Sequence, residues 1–203
     1  MSEMVKKLSR LLSRLKWKVI TYCYYSTTFH SFGKNNVFIS PMLILGERHI
    51  SIGNNCVFRN GLRLEVVDPQ SDIVIDIGDN VNIEQNVHII GRGRISIGNN
   101  VSLTAGCSIV DVVHPLQQPS SGKSYATVID NKRYDVSIGD YTMIGIGAHI
   151  SPGVTIGKGC VIGAHAVVTK DIPDYCVCAG IPARIIKRYN NYDNVWEVVN
   201  VKL

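Results

Sequence analysis

A mainly β fold, a parallel β-solenoid of about six triangular coils, is what the sequence predicts, and three observations predict it. The first is a period. Ile138, Ile144, Ile150, Ile156, Ile162 and Val168 stand six residues apart, and Ile-Gly recurs at 52, 77, 97, 138, 144, 156 and 162. The second is a companion column of small or β-branched residues four after most of the aliphatics: Cys56, Val81, Val87, Val101, Cys107, Thr142, Ala148, Val154, Cys160 and Ala166. The third is the chemistry between them, glycine together with Asn-Asn, Asp-Asn or Lys-Gly pairs that suit corners needing positive φ. A period of six is neither helical nor a bare strand alternation, and a unit so short cannot bury its own aliphatic residue. Neighbouring coils must therefore extend one continuous column, with three hexads to a coil.

The elements follow in chain order. Over residues 1–28, Met4, Leu8, Leu11, Leu12, Leu15 and Val19 fall at helical spacing, with Lys6, Lys7, Arg10, Arg14, Lys16 and Lys18 mostly opposite them. Such a basic amphipathic helix suits two uses: a cap on the open end of the solenoid, or a contact with anionic lipid. The formal charge of +5 resides entirely in the first twenty residues, leaving the body neutral. A neutral body argues against a nucleic-acid-binding surface. Residues 29–180 form the solenoid, with hexads starting at 32, 38, 44, 52, 58, 64, 77, 83, 89, 97, 103, 109 and then every six from 138 to 168. The run from 115 to 136 breaks the period and leaves the prism as a loop. Residues 181–203 are expected to be a short C-terminal helix and tail, with Trp196 as a docking residue.

At 203 residues and 45% hydrophobic content, the chain can bury a sizeable core. Its longest apolar run, Trp17 to Tyr25, is short and broken by Lys18, so no bilayer span and no signal peptide are expected. The expected location is cytoplasmic, with reduced cysteines. Cys56, Cys107 and Cys160 read as packing residues of the small column. No CxxC pair is present, and the histidines lack the close pairing of a three-histidine zinc site, so no metal is expected. His30, His49, His88, His149 and His165 read as surface or interface residues.

The long break begins just after His114, in "VVHPL", and carries Pro115, Pro119, Ser120, Ser121 and Gly122. Long loops in compact repeat proteins are commonly functional. Tyr125, Arg133 and Tyr134 are placed to close over a ligand, and a histidine where the wall ends can face a cleft rather than the packed interior.

The segment "IGDYTMIGIGAHISPGVTIGKGCVIGAHAVVTKDIPDYCVCAGIPARIIKR" resembles the hexapeptide-repeat acyltransferases, in particular the galactoside and maltose acetyltransferases and the O-acetyltransferases that decorate surface polysaccharides. The resemblance implies a left-handed coil, a homotrimer with active sites between subunits, and acetyl-CoA as cosubstrate. It implies that His114, followed by proline before an extruded loop, is the general base that takes the proton from a sugar hydroxyl. In the family an asparagine about thirty residues upstream positions the acceptor; here that neighbourhood reads "NIEQNVHI", offering Glu84 and Asn86. Asp111 is a candidate to hold the imidazole tautomer. For the donor, the matching positions are Met143, Gly145, Ala164, Thr169, Lys170 and Arg184, the two cations facing its phosphates. The implied function is O-acetyl transfer to a sugar hydroxyl of a surface glycan or its precursor. Transfer to serine, an amino sugar or an antibiotic, and a non-catalytic scaffold, are the alternatives.

Overall fold

The computed structural model describes residues 3–116, 122 and 124–199. Eighteen short strands wind as six coils, each coil giving one strand to each of three parallel faces. The first face stacks Ser31–Phe32, Ile50–Ile52, Ile75–Ile77, Ile95–Ile97, Val136–Ile138 and Thr155–Ile156. The second stacks Val37–Phe38, Val57–Phe58, Asn82–Ile83, Ser102–Leu103, Met143–Ile144 and Val161–Ile162. The third stacks Leu43–Leu45, Arg63–Val66, His88–Gly91, Ser108–Val110, His149–Ile150 and Val167–Val168.

The hexad aliphatics are the inward residues of these strands. Ile52, Ile77, Ile97, Ile138 and Ile156 lie in register down the first face. Phe58, Ile83, Leu103, Ile144 and Ile162 do so down the second, and Leu64, Ile89, Ile109, Ile150 and Val168 down the third. All fifteen are buried, so the interior is a dry aliphatic column with no coil able to stand alone.

Two corners keep a four-residue pace, and the one between the first and second faces shows why Asx pairs recur there. The backbone N–H groups of Lys34, Asn54, Asp79 and Asn99 donate to the side-chain oxygens of Asn54, Asp79, Asn99 and Asp140 in the next coil, at 2.6–2.8 Å. The second member of each pair turns the chain: Asn35, Asn55, Asn80 and Asn100 have φ of 57–61°. The third corner, between the third and first faces, absorbs the irregular spacings, in connections that span 67–74, 92–94 and 111–135.

The N-terminal helix Glu3–Ile20 runs into a wider turn, Thr21–Tyr25, that docks on the open end of the prism. The Thr21 hydroxyl donates to the Trp17 carbonyl at 2.7 Å and accepts the Phe38 N–H at 2.9 Å. That N–H points to the side where no earlier coil exists, so the contact satisfies an otherwise orphaned buried donor. Tyr25, Phe29, Phe32 and Phe38 seal the end, with Phe38 stacked on Phe58 at 4.1 Å. Capping therefore belongs to residues 21–38. The apolar stripe of the helix itself stays uncovered: Met4, Leu8, Leu11, Leu12, Leu15 and Val19 are each more than half exposed. Among the described residues, no helix is long and apolar enough to cross a membrane.

Among the described residues, the C-terminal helix expected from the sequence is replaced by strands. After Cys176–Ala179 extends the second face, the chain makes an antiparallel hairpin of Arg184–Asn190 and Val195–Val198. Ile185, Ile186, Tyr189, Val195, Trp196 and Val198 favour strand over helix, and the edge left by the last coil offers unpaired backbone groups. Asn190 Oδ1 accepts the N–H groups of Tyr192 and Asp193, and Asn194 takes φ 54°, closing the turn. Trp196 packs edge-on against Tyr189.

Candidate active site

The period-breaking insertions at the third corner meet one another, and His114 stands where the longest of them leaves the prism. Its limbs lie side by side: the Asp130 N–H donates to the Val113 carbonyl at 2.8 Å. One residue on, His114 Nδ1 lies 2.9 Å from the Val128 carbonyl oxygen. A carbonyl only accepts, so Nδ1 carries the hydrogen and the lone pair of the neutral ring is on Nε2. The side chain is exposed, which leaves Nε2 open to a reacting group. The middle of the loop, residues 117–121 and 123, lies outside the described residues.

Tyr134 and Arg133 are engaged within the returning limb rather than presented to a ligand. The Tyr134 hydroxyl donates to the Asp130 carboxylate at 2.8 Å, and Arg133 pairs with Asp135. The Lys132 N–H and the Tyr134 hydroxyl hold the Asp130 carboxyl below the usual aspartate range. Tyr125 is exposed in a short 3-10 turn.

Asp111 has a different role from the one expected of it. Its carboxylate is buried and accepts the backbone N–H of Arg92 at 2.6 Å and of Gly93 at 2.9 Å. These donors explain why a carboxylate is tolerated there. Burial pushes its pKa up, and the backbone hydrogen bonds oppose that shift. It does not touch the His114 ring, whose Nδ1 partner is the Val128 carbonyl.

Glu84 and Asn86 lie at the second corner, in the third coil. Asn86 turns the chain at φ 56° and lays its side chain over Gly61, a position that is itself at φ 76°. Met143, on the second face, and Gly145 and Ala164, at the second corner, follow further along the same edge. Met143 is exposed, as is Ala164. A Cβ at Gly145 would lie 2.6 Å from the Ile162 carbonyl oxygen, so its size is demanded by the next coil whatever else it does. Thr169, Lys170 and Arg184 are exposed near the C-terminal end, where Lys170 and Arg184 line one open pocket of about 370 Å³ with Asp171, Ile172, Ala183 and Ile185. One chain thus places His114 at the third corner and its Glu84–Asn86–Ala164 edge at the second, with the width of a face between them.

The remaining nucleophile candidates are quiet. Burial pushes the Cys107 and Cys178 thiols up to about 12 and Cys56 to about 11, the opposite of an activated thiolate. His149 bonds Ser108 Oγ at 2.8 Å, and burial lowers its pKa. Among the described residues, no three His, Cys, Asp or Glu side chains group to hold a metal ion.

Sequence reasoning passed over Arg92 and Asp68. Arg92 is buried, donates from Nη2 to Asp68 at 2.8 Å, and from Nη1 to the Asp130 carbonyl at 2.8 Å. The available signal was the spacing: the hexad starts jump from 64 to 77 and from 89 to 97 at the same corner as the long break.

Residues 135–170, the last two coils, match the model of the bacterial transferase hexapeptide family (six repeats). The chain is 32% identical over 164 residues to WbbJ of Escherichia coli K12, a protein named for lipopolysaccharide biosynthesis O-acetyl transfer, covering 77% of this chain and 81% of that one. It is 36% identical to the galactoside O-acetyltransferase of the same organism over 59% of this chain and 56% of that protein. The crystal structure of the Vibrio cholerae hexapeptide-repeat acetyltransferase VCA0836 with acetyl coenzyme A superposes with a TM-score of 0.60 at 22% identity, over 86% of this chain and 79% of that one. That likeness is one of fold, while the extent and identity of the match to WbbJ establish kinship: the chain belongs to the hexapeptide-repeat transferase family.

Proposed function

We propose that the protein transfers an acetyl group from acetyl-CoA to a hydroxyl of a sugar, in a surface glycan or its precursor. The observation that carries this reading is the hydrogen bond from His114 Nδ1 to the Val128 carbonyl, which turns the basic Nε2 outward. A sugar hydroxyl is a weak nucleophile at neutral pH. Nε2 takes its proton as the oxygen attacks the thioester carbonyl, the tetrahedral intermediate expels the CoA thiolate, and the imidazolium returns the proton to that sulfur. The names of WbbJ and the galactoside enzyme support an O-acetyl product and a sugar acceptor. A scaffold has no need of an oriented, exposed histidine.

The donor lies between subunits of a trimer on this reading. Met143, Gly145 and Ala164 share an edge with Glu84 and Asn86, whereas His114 leaves from another. A neighbour's second corner brought to the third corner of this chain completes the site, with Asn86 or Glu84 orienting the acceptor and Thr169, Lys170 and Arg184 meeting the donor phosphates. The uncovered stripe of the N-terminal helix, with Lys7, Lys16 and Lys18 beside it, suits contact with an anionic membrane surface, where a lipid-linked acceptor would be found.

The test is His114→Ala, assayed by CoA release over a panel of sugars and amino sugars, with calorimetric titration of acetyl-CoA and sedimentation alongside. Turnover is expected to fall by roughly 10²–10⁴-fold with donor affinity and trimer intact. Near-wild-type turnover, or loss of donor binding in place of turnover, overturns the assignment of His114 as base.

A further inference from the structure

We propose that Arg92 is a positioning residue for His114, holding the returning limb of the loop so that the Val128 carbonyl stays on Nδ1. The inference rests on the reading of His114 as base and deepens it. The side chain of Arg92 is 7% exposed, yet the carboxylate it meets, Asp68, is 68% exposed. Burying a guanidinium against a solvated partner is a weak way to gain stability. What the arrangement does achieve is geometric. Nε and Nη2 grip Asp68 Oδ2 at 3.2 and 2.8 Å in the 67–74 insertion, while Nη1 grips the Asp130 carbonyl at 2.8 Å in the returning limb. The planar fork thus fixes one insertion relative to another.

The base of the fork is fixed as well. The Asp111 carboxylate holds the backbone N–H groups of Arg92 and Gly93, and the Arg92 carbonyl accepts the Gln70 N–H at 2.9 Å. From the guanidinium the path to the imidazole is short and continuous. Arg92 holds the Asp130 carbonyl, the Asp130 N–H holds the Val113 carbonyl, and two residues before Asp130 the Val128 carbonyl holds His114 Nδ1. Asp111 acts at the far end of this path, through Arg92 rather than on the ring.

If Arg92 sets the ring's hydrogen-bond partner, removing it changes the tautomer before it changes the fold. The readout needs no acceptor: ¹⁵N spectra of full-length protein labelled at histidine, with the His114 signals identified by their loss in His114→Ala. Wild type is expected to show Nδ1–H at neutral pH, and Arg92→Ala a mixture with Nε2–H, with Arg92→Lys in between. In the CoA-release assay, Arg92→Ala is expected to lower kcat by about tenfold or more with KM for acetyl-CoA within about twofold, and to cost nothing further in a His114→Ala background. An unchanged tautomer in folded Arg92→Ala overturns the proposal, and so does an equal loss of rate with and without His114. Should Arg92→Ala fail to fold, Asp68→Ala removes the exposed anchor alone; it is expected to shift the tautomer in the same direction, and an unchanged spectrum overturns the proposal. Failure of the base assignment is a separate outcome, seen as turnover retained by His114→Ala whatever the spectra show.

Discussion

Replacing Asp111 by alanine isolates the energetics of the corner on which the site is built. The substitution removes a carboxylate that accepts two buried backbone N–H groups, at 2.6 and 2.9 Å, and leaves both without a partner. Charge-assisted bonds of this kind contribute about 1.5–3 kcal/mol each, so about 3–6 kcal/mol is at stake before the cost of burying the carboxylate is set against it. With that offset the net loss is about 2–4 kcal/mol. For a chain of this length, roughly 2–4 °C of Tm accompanies each kcal/mol, which predicts a fall of about 5–15 °C by circular dichroism. Asp111→Asn is expected to lose nearly as much, because its amide turns a donor toward one of the two N–H groups. The pH dependence has a definite sign. Burial raises the Asp111 pKa in the folded protein, so ionising the buried carboxyl costs stability: the contribution of Asp111 is largest below the ordinary aspartate value and falls, as pH rises through the raised one, to the net figure above for the ionised carboxylate. The gap in Tm between wild type and Asp111→Ala should therefore narrow from about pH 4 upward. A melting temperature for Asp111→Ala within about 1 °C of wild type would refute the reasoning, since no buried pair of donors would then depend on this carboxylate.

Thiol titration tests the column of small residues: Cys23 is exposed and the other five cysteines are buried, so one equivalent should react quickly with a disulfide reagent and five only in denaturant. A second fast equivalent would show that the prism opens. Flotation with anionic liposomes tests the N-terminal stripe. Binding is expected at low salt, to weaken as salt is raised, and to be abolished by Leu11→Asp with Leu15→Asp; binding that survives both leaves the helix without this role.

Much of the fold was legible because a solenoid repeats its constraints. Each hexad aliphatic had to face inward in register with the one a coil away, and Ile52, Ile77, Ile97, Ile138 and Ile156 do. The corners were legible for the same reason, since an Asx that caps the previous coil and an Asn at positive φ serve every turn alike. The C-terminal hairpin was not. "ARIIKRYNNYDNVWEVV" has apolar residues compatible with either period, and the choice is made by the free edge of Cys176–Ala179, which is a property of the assembled prism.

The site divides along the same line. The placement of His114 at the edge of the prism was legible because a residue at an interruption stands out from a regular background. Its surroundings were not, because at the third corner the register no longer dictates what each residue must be. Asp68, Arg92, Asp111 and Asp130 belong to three insertions and meet across separations of 19, 24 and 38 residues, with no period connecting them. Asp111, three residues from His114, looked like its partner on proximity alone, and is instead drawn inward by two N–H groups that no sequence pattern announces. The group that does meet Nδ1 is a backbone carbonyl. Every residue carries one, so the identity of Val128 encodes nothing about the contact; what encodes it is the placement of the returning limb, and therefore the side chains, Arg92 foremost, that hold that limb in place.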